Sequence, residues 1–449
     1  MKIGESQIKL LNLATQYYKK LGSVGVDVAE SAYCWLLNVP GAPGYFILKN
    51  LKENKKINIQ GIFFILKQFI AISILHDYKL FNKINTEENF DKLIISWAKK
   101  SDFQADGSYT DRYFKINSKH ISKTLWFLLF LDDHDLIPNN INKNIVVFGK
   151  ENLKGKYNFY YLIKVFFSIF RQSKCSLIKT FHLCSRRSHF AKIVSKAVIE
   201  IVQPKNFKTI LTVYDAQPFQ NTVFREIKKI NNNIKLIGYL HATQPLPLLN
   251  MHRHGAPDLL LVHGSSQVFH LKEYLNWPES KLRLIPSLRY HKKDITKFNN
   301  NLVLPINLSS ENILLDQFKI FLKQAEKKSL KPFVIKNHPH ATESKTHKKF
   351  IHKLEKALRE YNDRFSDDAK ENISLFFGGT SSILEGLESG LKVMHICADP
   401  VLESYSESLW PSIKVNEINE YILQYRLRSY GKCINFGTED NMFEKYCNL

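Results

Sequence analysis

The chain has 449 residues, more than one hydrophobic core usually holds, so we expect at least two domains. Its 64 Lys and Arg against 42 Asp and Glu give a formal net charge of +22, which favours an anionic partner such as nucleic acid, an acidic lipid surface or a phosphorylated substrate. Because the lysines are interleaved with Asn and Ile and no nucleic-acid-binding signature occurs, we expect no nucleic-acid partner.

The cysteines and the N-terminus indicate the compartment. Six cysteines are scattered without a Cys-x-x-Cys spacing, so the sequence predicts neither a zinc site nor a disulfide framework and favours a reducing compartment. The first nine residues carry charges where a secretory signal needs an apolar core, and no run of 18 apolar residues occurs. We therefore expect a cytoplasmic protein, with peripheral attachment to the inner face of the membrane as an open alternative.

The first half begins with helical periodicity over residues 5–85. Its apolar run at 62–75 is interrupted by Lys67 and Gln68, which predicts a buried helix and not a membrane span. Short apolar runs rich in branched and aromatic residues then alternate with helical or loop stretches, which is typical of a parallel sheet. The predicted strands are Lys92–Trp97, Thr124–Leu131, Asn144–Phe148, Thr209–Tyr214, Lys235–Leu240, Leu259–Val262 and Leu282–Ile285.

The segment at 157–192 differs from its surroundings because it is aromatic, basic and free of acidic residues. This composition suits an amphipathic element that lies on an anionic bilayer surface. A core helix with a solvated basic face has the same composition. The sequence leaves both interpretations open.

A polar stretch over 290–301 is interpreted as a linker between two domains, 1–295 and 296–449. A second series of strands follows it: Leu302–Ile306, Phe333–Lys336, Ile373–Phe377, Val393–Ile396 and Ile413–Val415. The predicted fold is therefore α/β, with two doubly wound, Rossmann-like domains that face a cleft. The last helices, from Glu417 onward, are expected to cross back to the first domain.

Three residues of the first half are candidates for acid–base chemistry. Asp215 directly follows one predicted strand and His241 follows the next, so both are expected at the carboxyl edge of the sheet, where ligands bind. Asp106 lies in a separate loop that also carries Asp111. An Asp at a strand end is often only a turn or cap residue. Asp215 is preferred as a base because it shares its edge with His241.

The second half contains two polar clusters, each at the end of an apolar strand. Residues 336–340 read Lys-Asn-His-Pro-His, and residues 378–382 read Gly-Gly-Thr-Ser-Ser before an apolar helix. Such a turn is a frequent helix cap, but a helix N-terminus also binds anions through its free N–H groups. Because both clusters are expected at one sheet edge, we predict a phosphate site, with additional donors from Lys336, His338 and His340.

These clusters resemble the His-Pro and Ser-Ser motifs of bacterial GT-B glycosyltransferases that use CMP-activated sugars, the sialyltransferase and polysialyltransferase-like group. Five stretches of the first half are similar to a bacterial surface-carbohydrate biosynthesis family: Ile-Ser-Trp from residue 95, Asp-Gly-x-Tyr-x-Asp-Arg-Tyr-Phe from 106, Thr-Leu-Trp-Phe from 124, Tyr-Asp-Ala-Gln-Pro-Phe from 214 and Gly-Tyr-Leu-His-Ala-Thr from 238. The resemblance extends from about Leu93 to His395.

The resemblance implies a GT-B-like fold and an inverting, metal-independent glycosyltransferase. The enzyme would move a nonulosonic acid or Kdo-type sugar from a CMP donor to a surface polysaccharide or lipid-linked acceptor. The acidic motif of the group is not intact, because Ala105-Asp106-Gly107 keeps only one acid. Either Asp106 or Asp215 would thus be the general base, with His241 next. The implied nucleotide-binding residues are Lys336, His338, Gly379, Thr380, Ser381, Ser382 and Glu385.

Two other functions remain open at this point. A polyol-phosphate transferase that uses a CDP-alcohol would need the same basic phosphate site, with His241 or His338 as its base. A non-catalytic partner that binds carbohydrate or nucleotide would keep the site without the reaction. No cofactor is expected, since the second half lacks an Asp-x-Asp motif to anchor a cation on a diphosphate.

Overall fold

A computed structural model describes most of the chain. It covers residues 3–39, 42–55, 59–75, 78–82, 89–151, 156–157, 159–174, 176–242, 244–291, 300–308, 310–338, 341–369, 372–437 and 442–447. Within these ranges, every helix is too short or too polar to cross a bilayer.

The first half is built on an eight-stranded sheet. Its strands run in the order β10-β9-β8-β7-β3-β4-β5-β2, and all neighbours are parallel except β2, which pairs antiparallel with β5. The strands β1 and β6 form a separate antiparallel pair. In chain order the strands are β1 (Ile74–Leu75), β2 (Tyr78–Leu80), β3 (Lys92–Ala98), β4 (Thr124–Phe130), β5 (Ile145–Lys150), β6 (Lys156–Tyr157), β7 (Thr209–Val213), β8 (Lys235–Tyr239), β9 (Leu259–Val262) and β10 (Leu282–Leu284).

Helices, including α6 and α7, cover one face of this sheet, and the loop at 103–121 together with Phe443 covers the other, which explains its composition. Every residue of β4, Thr-Leu-Trp-Phe-Leu-Leu-Phe, is buried, as expected for a central parallel strand with both faces covered. The helices of the first half are α1 (Ile3–Ser23), α2 (Pro43–Lys52), α3 (Ile59–Ile70), α4 (Phe159–Gln172), α5 (Leu177–Leu183), α6 (Arg186–Val202), α7 (Pro218–Ile230) and α8 (Ser265–Leu275).

The second half contains a six-stranded sheet in the order β12-β11-β13-β14-β16-β15. The four strands from β12 to β14 are parallel, and the hairpin of β15 and β16 adds an antiparallel edge. The elements are β11 (Asn301–Val303), α9 (Glu311–Gln324), β12 (Val334–Lys336), α10 (Lys345–Glu360), β13 (Ile373–Phe377), α11 (Ser382–Glu388), β14 (Lys392–Ile396), α12 (Pro400–Glu403), β15 (Ile413–Asn419), β16 (Ile422–Leu427) and α13 (Met442–Cys447).

The predicted α/β class, with two mainly parallel sheets, is confirmed, and an observed strand lies at each predicted strand position. The linker prediction falls largely on residues 292–299, which lie outside the described residues. The helix predicted within 62–75 is present, but the prediction that it is buried is wrong. Helix α3 ends at Ile70, and Phe63 on its outer face is 67% exposed. Only its other face packs, for example through Phe64, which stacks on Phe46 at 4.8 Å.

The two sheets are joined by buried contacts that are distant in sequence. The side chain of Gln7 in α1 donates to the carbonyl oxygens of Val401 at 3.0 Å and Ser404 at 2.8 Å. The indole of Trp410 donates to the carbonyl oxygen of Pro245 at 3.0 Å and lies 4.6 Å from the ring of His270. These contacts form one continuous core across both halves.

Glu417 lies in the β15–β16 hairpin and not in a helix, so the expected crossing back to the first half begins only after β16. The backbone N–H of Ser287 donates to Asn435 at 2.7 Å, and that of Asn435 donates to His263 at 2.6 Å. Farther along, Phe443 of α13 packs 5.3 Å from Phe114, on the first sheet. The C-terminal segment therefore holds the two sheets in a fixed arrangement.

We expect Trp410→Ala to lower the free energy of unfolding by about 3–5 kcal/mol, because it leaves a large cavity between the sheets. Urea unfolding followed by circular dichroism measures the change. Tyr430→Ala is the matched control, since Tyr430 is 66% exposed and its loss should change stability by less than about 0.5 kcal/mol. Equal unfolding midpoints for the two variants would contradict the role of Trp410.

Candidate active site

Asp215 and His241 come together at the carboxyl edge of the first sheet. Each follows one of two adjacent parallel strands, β7 and β8. The Oδ1 atom of Asp215 lies 3.4 Å from Nδ1 of His241, and this nitrogen is buried without a hydrogen bond to the described residues. The pair predicted from the strand ends is thus present, with one imidazole nitrogen available to a further partner.

The loop that carries Asp215 is held in a strained backbone conformation. Ala216 has a φ of +50°, in the left-handed region that costs a non-glycine residue about 1–3 kcal/mol. The side chain of Gln220 accepts hydrogen bonds from the N–H groups of Asp215 and Gln217, both at 3.0 Å. The indole of Trp35 donates to the carbonyl oxygen of Asp215 at 2.9 Å. These contacts fix the carboxylate in place.

Burial controls the protonation of the pair. It raises the pKa of Asp215 to about 6, against the opposing charge of Arg289. Burial, together with Arg289 and His263, lowers the pKa of His241 well below its usual value. Near neutral pH, Asp215 is therefore a carboxylate with raised basicity beside a neutral imidazole. This is the protonation state that a general base requires.

Arg289 and Tyr113 complete the first-half side of the site. The ring of Tyr113 lies 4.6 Å from that of His241, in an edge-on arrangement. The guanidinium of Arg289 lies 5.9 Å from the ring of Tyr113 and 5.0 Å from that of Tyr290. Among the described residues, no carboxylate lies within ion-pair distance of Arg289. A partly buried cation in such a position is suited to an anionic ligand.

The second half reaches this site through α11. The side chain of Ser381 hydrogen-bonds the phenol of Tyr290, and Glu385 lies close enough to interact electrostatically with both Tyr290 and Arg289. Ser381 and Glu385, predicted as nucleotide-binding residues, therefore face the residues that follow β10. The structure brings Asp215, His241, Arg289, Ser381 and Glu385 to one cleft between the two sheets.

The turn before α11 offers an anion only a weak helix dipole. Gly378 has a φ of +60°, and an added Cβ would approach Pro305 to 3.2 Å, so glycine is required there. The hydroxyl of Thr380 accepts a hydrogen bond from the N–H of Ser382 at 3.3 Å and so acts as a cap. Because α11 has only seven residues, its dipole is small. Side chains must therefore supply most of the attraction for an anion.

The structure places the other cluster at the same edge but farther along. Lys336 is exposed at the end of β12, and His338 follows it. Strand β11 separates β12 from β13, so Lys336 and Gly379 are about 10 Å apart across the sheet. His340 lies outside the described residues. A ligand that contacted both clusters would have to extend along the edge.

Asp106 is not part of this cleft. Its neighbour Gly107 packs against Asn140 and accepts a hydrogen bond from the N–H of Asn142, just before the start of β5. This is the amino edge of the sheet, opposite to Asp215. The carboxylate of Asp106 is exposed and pairs with Lys119, which holds the pKa of Asp106 below its usual range. Asp215 is therefore better placed than Asp106 as a candidate base.

The second acid of the same loop is structural. Asp111 is fully buried and accepts hydrogen bonds from the N–H groups of Tyr113 and Phe114, both at 2.7 Å, and from the hydroxyl of Tyr109 at 2.7 Å. These bonds turn the chain so that Tyr113 reaches the ring of His241. The Asp-Arg-Tyr-Phe motif thus shapes the cleft without contributing its acid.

Sequence reasoning missed Arg289 and Tyr113. Arg289 stands a few residues after a correctly predicted strand, so a search for cations beyond strand ends would have found it. Tyr113 gave no such signal, because its loop is long and its contact with His241 depends on the tertiary fold. A cluster of Asp133, His134 and Asp135 could hold a cation, but in the described structure both ring nitrogens of His134 already meet these two carboxylates.

Comparisons with known proteins add two distant similarities. No protein-family model and no curated protein matches the chain. Among solved structures it is similar to an α,α-trehalose 6-phosphate synthase from Burkholderia multivorans, at 14% identity and a TM-score of 0.36, over 62% of this chain and 70% of the synthase. It is also similar to a glycosyltransferase from Rickettsia africae, at 10% identity and a TM-score of 0.32, over 70% and 86% of the two chains. Similarities at this level establish no shared activity.

The raised pKa of Asp215 predicts a pH dependence of stability. Between about pH 4 and pH 6 the folded protein binds a proton at Asp215 that the unfolded chain releases, so this residue stabilises the fold as the pH falls through 6. We expect the stability difference between wild type and Asp215→Asn to shift toward the wild type by on the order of 2 kcal/mol between pH 7 and pH 4. Urea unfolding at each pH measures it, and parallel profiles would contradict the assignment.

Proposed function

We propose that this protein is an inverting glycosyltransferase that uses a CMP-activated sugar. The observation that supports the proposal is the convergence of a basic carboxylate, Asp215, with Arg289, which has no carboxylate within ion-pair distance among the described residues, and with Ser381 from the opposite half. The carboxylate suits activation of an acceptor hydroxyl. The cation and hydroxyl suit a departing phosphate.

The reaction would proceed as a single displacement. Asp215 takes the proton of the acceptor hydroxyl as its oxygen attacks the anomeric carbon of the donor. The bond from that carbon to the phosphate oxygen breaks, and CMP leaves with the bonding electron pair. Arg289 and Ser381 stabilise the charge that develops on the phosphate, while Glu385 is placed to accept from ribose hydroxyls. The positive charge of Arg289 would replace a metal ion, so we expect transfer to proceed in EDTA.

The proposed donor is a nonulosonic acid or Kdo-type sugar, and the proposed acceptor is a surface polysaccharide or a lipid-linked glycan. Their support is the resemblance of the motifs at 336–340 and 378–382. Such acceptors are made at the inner face of the cytoplasmic membrane, so we also propose a peripheral position there. A binding screen of CMP, CDP, UDP and GDP tests the donor class directly. Preference for CDP, with polyol-phosphate transfer, would replace this proposal by the alcohol-phosphate reaction.

Substitution of Asp215 distinguishes a general base from a residue that binds the donor. We expect Asp215→Asn to lower the transfer rate by about 10²–10⁴-fold and to leave CMP affinity close to that of wild type, since a base acts on the acceptor proton. Single-turnover transfer and CMP titration measure the two effects. Asp106→Asn is the control and should keep its activity. Loss of transfer in Asp106→Asn alone would move the base to that loop, and CMP binding without transfer in the wild type would indicate a non-catalytic partner.

The anion site is tested by Ser381→Ala/Ser382→Ala. Loss of two hydrogen bonds to a charged phosphate, each worth about 1.5–3 kcal/mol, should weaken CMP binding at least tenfold. Ser389→Ala is a matched control on the same helix, because its hydroxyl donates to the carbonyl oxygen of Glu385 at 2.7 Å and faces no ligand. Unchanged CMP affinity in the folded double variant would reduce both serines to cap residues.

A further inference from the structure

Helices α3 and α4 expose a shared apolar surface. On α3, Phe63, Leu66 and Ile70 lie on one helical face and are 67%, 42% and 51% exposed. On α4, Tyr160 and Phe167 lie on one face and are 76% and 56% exposed. Aromatic side chains of this size are seldom left in water together, so this surface indicates a partner.

The C-terminal end of α3 contacts α4. Phe69 of α3 and Phe166 of α4 meet edge to face at 5.6 Å, and both belong to a small core with Ile72 and Leu162. Because these inward residues join the two helices, their exposed side chains lie at the same end of the molecule. We call the surface formed by Phe63, Leu66, Ile70, Phe159, Tyr160, Ile163 and Phe167 the aromatic surface.

The charges around the aromatic surface select its partner. Residues 54–76 and 152–199 contain no acidic residue. Lys67 shares the outer face of α3, and Lys164 and Arg171 share that of α4; all three are exposed and form no ion pair with the described part of the chain. Apolar rings flanked by long cationic side chains match the acyl boundary and anionic headgroups of a bilayer.

A second copy of this chain fits the surface less well. In a symmetric dimer the same patch faces itself, so Lys67, Lys164 and Arg171 would meet their own copies without acidic partners. A cavity of about 640 Å³ beside α4 adds net positive charge to this end of the molecule, since Lys79, Arg186 and Lys196 line it against one acid, Glu200. The local charge therefore favours an anionic partner.

We infer that α3 and α4 form a membrane-docking surface that inserts its aromatic side chains shallowly into an anionic bilayer. This narrows the membrane interaction expected for 157–192, because the later part of that segment is packed: Ser185, Ser188 and Ala191 are buried. The inference also includes α3 in the docking surface, although the sequence predicted that this helix would be buried. The inference deepens the proposed peripheral position of a transferase but does not depend on transfer.

The test is co-sedimentation of the full chain with vesicles. Wild type should bind vesicles of equal parts phosphatidylglycerol and phosphatidylcholine at about 0.15 M ionic strength, where the Debye length is about 8 Å. Binding should weaken as salt rises and be much lower on pure phosphatidylcholine. Phe63→Ser/Phe167→Ser should lower the partition coefficient at least tenfold, whereas the exposed-residue control Tyr430→Ser should bind as wild type.

Because Phe63 and Phe167 are exposed, the double variant should keep the thermal midpoint of wild type, which separates lost docking from lost folding. Lys164→Gln/Arg171→Gln should reduce binding mainly at low salt. Vesicle binding of Phe63→Ser/Phe167→Ser equal to wild type would overturn the inference. So would a wild-type dimer that this variant converts to monomer without any vesicle binding. Both readouts are independent of donor and acceptor, so failure of the transferase proposal would not affect them.

Discussion

The structure depends on the packing that holds the two parallel sheets with their carboxyl edges toward one cleft. Side chains from distant parts of the chain make this contact: Gln7 of α1 bonds to the region after α12, and Trp410 bonds to the loop after β8. Parallel strands bring their following loops to one edge, and the interface turns two such edges toward each other. A site assembled from both halves follows from this arrangement.

Within the cleft, desolvation sets the protonation states of Asp215 and His241. Tyr113, Arg289 and the strained loop at Ala216 shield Asp215 and His241 from most of the solvent, and 24% of the Asp215 side chain stays exposed. The same burial raises the pKa of the carboxylate and lowers that of the imidazole, so the two groups sit in opposite protonation states near neutral pH. The surrounding contacts hold the backbone of Ala216 in its strained conformation. Strain of this kind is common in functional loops.

The aromatic surface on α3 and α4 is a second region where the chain departs from an ordinary globular pattern. It belongs to the same half as the proposed acceptor side of the cleft, and α6, which follows it in sequence, begins near Trp35, whose indole holds the Asp215 loop. The proposed nucleotide side, on α11, is contributed by the other half.

The sequence by itself determined the fold class and most of the strands, but not β1, β2, β6 or β16. Runs such as Thr124–Phe130 are apolar throughout, and only a strand covered on both faces explains such a run at that length. It also placed Asp215 and His241 at one edge, because each directly follows a strand. Local pattern was sufficient in both cases, since the period and the end of a strand are properties of neighbouring residues.

Only the tertiary structure decided the rest. Whether the apolar helix α3 faces inward or outward depends on what packs against it, and its composition is nearly the same in either case. Asp106 and Asp215 are both acids in loops. The long loop after β3 places Asp106 at the opposite edge of the sheet, and its sequence does not show that path. Arg289 meets Glu385, and Tyr290 meets Ser381, only because the two sheets face each other, a long-range contact that no local pattern encodes.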